Sequence, residues 1–141
     1  MPLRSALRLW LPAVLWTAVI LAASSGSFSS ANTEGFLEKL MRTLFGDHVN
    51  PTLLEAIHFI IRKLSHVTEY GILSILVYSA VRAERAGWNI RWAVAAILFA
   101  ALVGSIDEFH QSFVPGRTAT AWDTVIDTLG ATLAQVLFFR T

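Results

Sequence analysis

Four apolar stretches divide this chain, and its polar residues gather at alternating ends of them. The first, residues 7–23, reads LRLWLPAVLWTAVILAA behind Arg4 and Arg8. Roughly 17 apolar residues is the lower limit for a helix that crosses the hydrocarbon core. A basic start, an apolar core and small residues after it also describe a signal peptide. A retained signal anchor is the reading adopted, bent at Pro12. The second stretch covers residues 64–81, the third 92–109 and the fourth 122–139.

The segments between them carry their own signals. Residues 24–32, SSGSFSSAN, read as a flexible linker. Phe36, Leu37, Leu40, Met41, Leu44 and Phe45 then recur with helical spacing opposite Glu34, Glu38, Lys39 and Arg42. That pattern predicts a short amphipathic helix ended by Gly46, lying in the membrane interface or packed on the bundle. Asn50-Pro51 starts another helix, with asparagine as N-cap and proline at the first helical position. No proline follows until Pro115, so this helix has room to run through Val81, about 45 Å at 1.5 Å per residue. A hydrocarbon core is about 30 Å thick. The expectation is therefore an interfacial piece over residues 51–61, followed by the second span.

Composition makes lipid the natural surroundings. Hydrophobic residues are 55% of the chain, charged residues only 15%, and mean hydropathy is +0.57. Such a chain cannot cover its apolar surface with polar groups. The predicted fold is one all-α domain over residues 1–141: a four-helix transmembrane bundle with a short amphipathic interfacial helix after the first span. Net charge is +1 with no basic stripe, which argues against nucleic acid. The absence of cysteine removes disulfides, thiol nucleophiles and thiolate ligands. Trp10, Trp88, Trp92 and Trp122 fall at segment ends, as an aromatic belt requires. Basic residues in short loops favour Arg4, Arg8, Arg82, Arg85, Arg91 and Arg140 on the inner side, so both termini are expected in the cytoplasm.

The ionisable residues inside the apolar stretches carry the candidate chemistry. A charge at the bilayer centre costs about 2.5–3.5 kcal/mol on insertion scales, so such residues mark sites. Arg62, His66 and Tyr70 are spaced i, i+4, i+8, with Lys63 and Glu69 on neighbouring rows. Asp107, Glu108 and Gln111 form a second group, preceded by a small-residue ridge of Ala96, Ala100 and Gly104. Close helix approach at Gly104 is expected to bring these acids beside His66. Of Asp107 and Glu108, one is expected to face the pocket and the other to pair with Arg117 or Lys63. Asp123, Asp127, Gly130, Ala131 and Ala134 share a face of the fourth stretch, and Thr120 with Asp123 reads as its N-terminal cap.

Alternating helix directions put all three groups at one membrane face. His66, Asp107 and Glu108 are the candidate catalytic groups. Lys63, Arg117, Gln111, Tyr70, Asp123 and Asp127 are the candidate ligand-binding groups. Each has a plainer reading: Arg62 and Lys63 as snorkelling boundary residues, Tyr70 as a packed ring, Asp123 as a helix-start charge. His58 and His110 read as interfacial bystanders. No HExxH or comparable spacing is present, so no metal is assigned and cofactors stay unknown. No G-x-S-x-G, Walker or dinucleotide motif occurs either.

Three ordered motifs, RKLSHVTEYGIL, DEFHQSFVPGR and WDTVIDTLGA, resemble the VanZ-like family over residues 62–131. The matching positions are Lys63, His66 and Tyr70, then Asp107, Glu108, Gln111, Pro115, Gly116 and Arg117, then Asp123, Asp127 and Gly130. The resemblance implies a bacterial protein of the inner membrane, in a family named for a member associated with teicoplanin resistance. It supplies a class and leaves the mechanism open.

The functional expectation is an extracytoplasmic polar site that binds the anionic head group of a lipid-linked envelope precursor, with its chemical modification left open. The bilayer and that precursor are the expected partners; an oligomer stays open. The alternative is a non-enzymatic protein whose charges lock the bundle together. A proton-coupled transporter is a third reading, for which four spans are few.

Overall fold

The computed structural model describes residues 3–24, 30–45, 50–113 and 120–139. Five α-helices account for almost all of them: α1 (Leu3–Ala23), α2 (Ser30–Phe45), α3 (Pro51–Arg82), α4 (Ile90–Gln111) and α5 (Ala121–Phe139). No strand occurs among the described residues. Three helices, α1, α3 and α4, are long and apolar enough to cross a membrane. Helix α5 covers the fourth apolar stretch, but Asp123 and Asp127 lower its apolarity and it does not count among the three.

The N-terminal signal of α3 works as expected. The Asn50 side chain accepts a hydrogen bond from the Thr52 amide at 2.9 Å, with Pro51 at the first helical position. The pieces expected over residues 51–61 and 64–81 form one helix: α3 runs unbroken for 32 residues, about 48 Å. Nothing in residues 52–70 is a helix breaker, and the first glycine, Gly71, packs against Gly130 and Ala134 of α5. The helix stops at Ala83, whose φ of 55° is left-handed. A short turn through Gly87 (φ 82°) then leads to Asn89, which caps α4 through the Arg91 amide.

Pairwise contacts fix the direction of each helix. Lys63 meets Asp123, His66 meets Asp127 and Ser74 meets Gln135, so α3 and α5 run parallel. Helix α4 is antiparallel to both, because Asn89 donates to the Tyr78 hydroxyl while the Thr120 amide donates to Glu108. Helix α1 is antiparallel to α3: its Trp16 indole donates to the Glu69 carbonyl at 2.9 Å, and Trp10 lies against Phe99. Helix α2 touches the bundle lightly, through α3, and leaves Leu40 and Leu44 exposed.

Lipid tails are as apolar as leucine, so close packing rather than hydrophobic burial must hold such helices together. Small residues do this here. Ala96, Ala100 and Gly104 line the buried face of α4, and Gly130 and Ala131 that of α5. A Cβ on Gly130 would sit 2.5 Å from the Val67 carbonyl oxygen, so only glycine permits the α3–α5 approach. The end remote from His66 and Asp127 closes on aromatic rings: Tyr78 packs edge-on against Phe138 and Trp92.

Candidate functional site

The stripe on α3 faces inward and meets α5 rung by rung. At the open end, the Lys63 ammonium pairs with the Asp123 carboxylate, and Arg62 Nη2 approaches the other oxygen of the same group at 3.7 Å. Two cations therefore share one acid, leaving one formal positive charge. The Nε and Nη2 of Arg62 have no hydrogen-bond partner among the described residues. Both cations border a cleft of about 450 Å³ between Phe59, Trp122 and Ile126, and Lys63 also lies 5.3 Å from the Phe59 ring centroid. Asp123 itself is buried.

One turn deeper the site becomes acidic. His66 Nδ1 lies 2.9 Å from Asp127 Oδ1. With Asp127 ionised, Nδ1 carries the donated proton, which leaves Nε2 as the basic nitrogen. The Tyr70 ring stacks nearly parallel to the His66 ring, at 6.3 Å between centroids. Gly104 of α4 lies against both Asp127 and Tyr70: a Cβ there would stand 3.0 Å from Asp127 Oδ2 and 3.4 Å from the tyrosine ring. The close approach expected at Gly104 is thus what the fold contains.

Asp107 and Glu108 point apart, as neighbours on a helix must. Gln111 donates to Asp107 Oδ2 at 2.6 Å, within α4. Glu108 Oε2 accepts the Thr120 amide at 2.9 Å and so ties α4 to the N-terminus of α5. The pairing of one of them with Lys63 does not occur; Lys63 takes Asp123 instead. Arg117, with Pro115 and Gly116, lies outside the described residues. Asp107, Glu108 and Asp127 each retain one buried oxygen without a hydrogen-bond partner among the described residues, as does the Tyr70 hydroxyl. Asp127 is thus the carboxylate in contact with the imidazole, and Asp107 and Glu108 are buried at the same end of α3, α4 and α5. Among the described residues no group of three His, Asp or Glu has the geometry to hold a metal ion.

The structure therefore brings together Lys63, His66, Tyr70, Asp107, Glu108, Gln111, Asp123 and Asp127 at one end of α3, α4 and α5. Two features lie outside the sequence reading. Gln135, two turns beyond Asp127 on the same face, donates to the carbonyl and hydroxyl of Ser74 at 3.0 and 2.9 Å; the spacing Asp127, Ala131, Gln135 is the signal that marks it. His58 is buried although Phe59 and Ile60 beside it on α3 are exposed, and His110 is exposed.

Chemically, the arrangement offers a cationic mouth for an anion and, beneath it, an imidazole oriented by a carboxylate among further acceptors. The family model described as VanZ/LLP1 matches residues 9–140. No curated protein and no solved structure matches the chain.

Proposed function

The chain belongs to the VanZ/LLP1 family, and from that premise we propose that it is a bacterial inner-membrane protein that binds the anionic head group of a lipid-linked envelope precursor. In this reading α5 is the fourth span, since it runs beside α3 from Asp123 to Gln135. Both termini are cytoplasmic and the cationic mouth faces outward. Helix α2 lies at the interface, its exposed Leu40 and Leu44 toward lipid.

The observation that carries the reading is the mouth itself. Arg62 and Lys63 share the single carboxylate of Asp123, and both side chains line the cleft. A phosphate in that cleft offsets the surplus positive charge. The layer below supports a reading in which the head group is also chemically modified. His66, oriented through Nδ1 by Asp127, takes a proton at Nε2, while Glu108, Asp107, Gln111 and Tyr70 line the same layer.

Purified protein in detergent, mixed with dimyristoyl phosphatidic acid and examined by native mass spectrometry, tests the binding step. Wild type retains the lipid, and Arg62→Gln loses it with an unchanged melting temperature. Absence of retention by wild type overturns the reading.

The same contacts favour a second reading, a structural lock. Lys63–Asp123, His66–Asp127 and Glu108–Thr120 each join two different helices. Under it, Arg62→Gln and His66→Gln lower stability and leave lipid retention as it was.

A further inference from the structure

A second concavity lies on the seam between α3 and α5. It measures about 490 Å³ and is lined by Val67, Gly71 and Ile75 on one side and Gly130, Ala134 and Leu137 on the other. Its floor is formed where Gly71, Gly130 and Ala134 present almost no side chain. The lipid-facing side of α4 is different: Leu98, Leu102, Ile106 and Phe109 project there and are half or more exposed. The groove faces away from the buried polar layer, since Leu133 and Leu137 on its rim are exposed.

Its position relative to the cationic cleft is what gives it meaning. Lys63 and Val67 are four residues apart on α3, and Ile126 and Gly130 are four apart on α5. Residues with that spacing share a helix face. Cleft and groove are consecutive parts of one furrow, cationic at the mouth and apolar below it. From Lys63 to Ile75 it extends about 18 Å along the axis, more than half of a hydrocarbon core about 30 Å thick. An amphiphile with an anionic head and a hydrocarbon tail has that order of polarity and that direction.

We propose that the anion of the mouth is held as an intact lipid phosphate, with its hydrocarbon chain lying in the α3–α5 groove and its entry sideways from the outer leaflet. This deepens the head-group reading above and rests on it. Cavities of roughly 300–1,000 Å³ are the usual size for small-ligand sites, and apolar contact with a chain is what gives the furrow a preference for a lipid over a soluble phosphate. The chain contacts Gly71, Gly130 and Ala134, while Arg62 and Lys63 take the phosphate oxygens.

The test compares dimyristoyl phosphatidic acid with glycerol 3-phosphate as probes for the full chain in detergent, read by native mass spectrometry. Wild type retains the lipid and not glycerol 3-phosphate at the same concentration. Two variants fill the groove from opposite walls, Ala134→Phe on α5 and Thr68→Trp on the exposed side of α3. Each weakens lipid retention by about tenfold or more, equivalent to 1.4 kcal/mol or more of binding free energy, while Leu98→Phe on the α4 lipid face leaves it unchanged. Melting temperatures identify a variant that fails to fold, in which case the other decides. Equal retention by wild type and a folded groove variant overturns the groove and leaves the mouth intact. Equal binding of glycerol 3-phosphate also overturns it, since the chain then contributes nothing. Failure of wild type to retain any phosphate ends the head-group reading itself.

Discussion

His66 Nδ1 and Asp127 Oδ1 stand 2.9 Å apart in the buried interior, joining α3 to α5 at the level where Gly104 of α4 touches the same carboxylate. Three helices thus converge on one hydrogen bond. Removing a single partner from a buried pair is costly, about 3–5 kcal/mol, because the other is left uncompensated, whereas replacing both by apolar groups is often neutral. His66→Leu alone therefore lowers the melting temperature in detergent sharply. The double variant His66→Leu/Asp127→Leu recovers most of that loss, and a thermal-unfolding double-mutant cycle measures the coupling. Additive losses would show that the pair contributes no coupling.

The glycines predict a graded series. At Gly130 a methyl group meets Val67 backbone atoms at 2.5 and 2.7 Å, which cannot yield without separating the helices. Gly130→Ala destabilises by about 1–3 kcal/mol, the usual cost of overpacking. At Gly104 the obstacle is the Asp127 side chain at 3.0 Å, which has some freedom to shift, so Gly104→Ala costs less. At Gly71 the nearest atoms are at 3.4 Å, and Gly71→Ala is close to neutral. Melting temperatures of the three variants, in that order, check the helix–helix geometry.

Glu108 serves α5 through its oxygen, not through its charge alone. The Thr120 amide donates to it at 2.9 Å across the α4–α5 junction. Glutamine retains a carbonyl oxygen able to accept that bond, so Glu108→Gln keeps the fold. Glu108→Ala leaves the amide without this acceptor and costs about 1–3 kcal/mol. Unfolding of both variants in detergent separates the hydrogen bond from the charge.

Asp123 holds two cations, and its neutralisation frees both. With Asp123→Asn the mouth gains a second surplus positive charge beside the cleft. Retention of dimyristoyl phosphatidic acid then rises, and it falls with added salt because exposed charges are screened beyond about 10 Å at 0.1 M. Unchanged retention with a large loss of stability would instead support the lock.

Much of this architecture was legible along the chain because each signal is local. The Asn50-Pro51 start of α3, the small-residue face of α4 and the i, i+4, i+8 stripe through Arg62, His66 and Tyr70 need only helical periodicity to be read. A 32-residue α3 was harder to read. Membrane thickness suggested dividing it, yet nothing in residues 52–70 breaks a helix, and backbone hydrogen bonding continued through.

The sequence by itself determined that this chain is helical and membrane-compatible, and that its charges cluster at one end of its apolar segments. Those properties depend on spacing and hydropathy, which residues carry individually. Only the tertiary structure decided the partners: Asp123 rather than Glu108 for Lys63, Asp127 for His66, and the Thr120 amide for Glu108. Partner choice depends on which rotation brings two helices together, and here that rotation is set by contact at Gly130 and Gly104. A missing side chain has no pairing preference to read along the sequence. Its consequence exists only where a second backbone comes close enough to occupy the space.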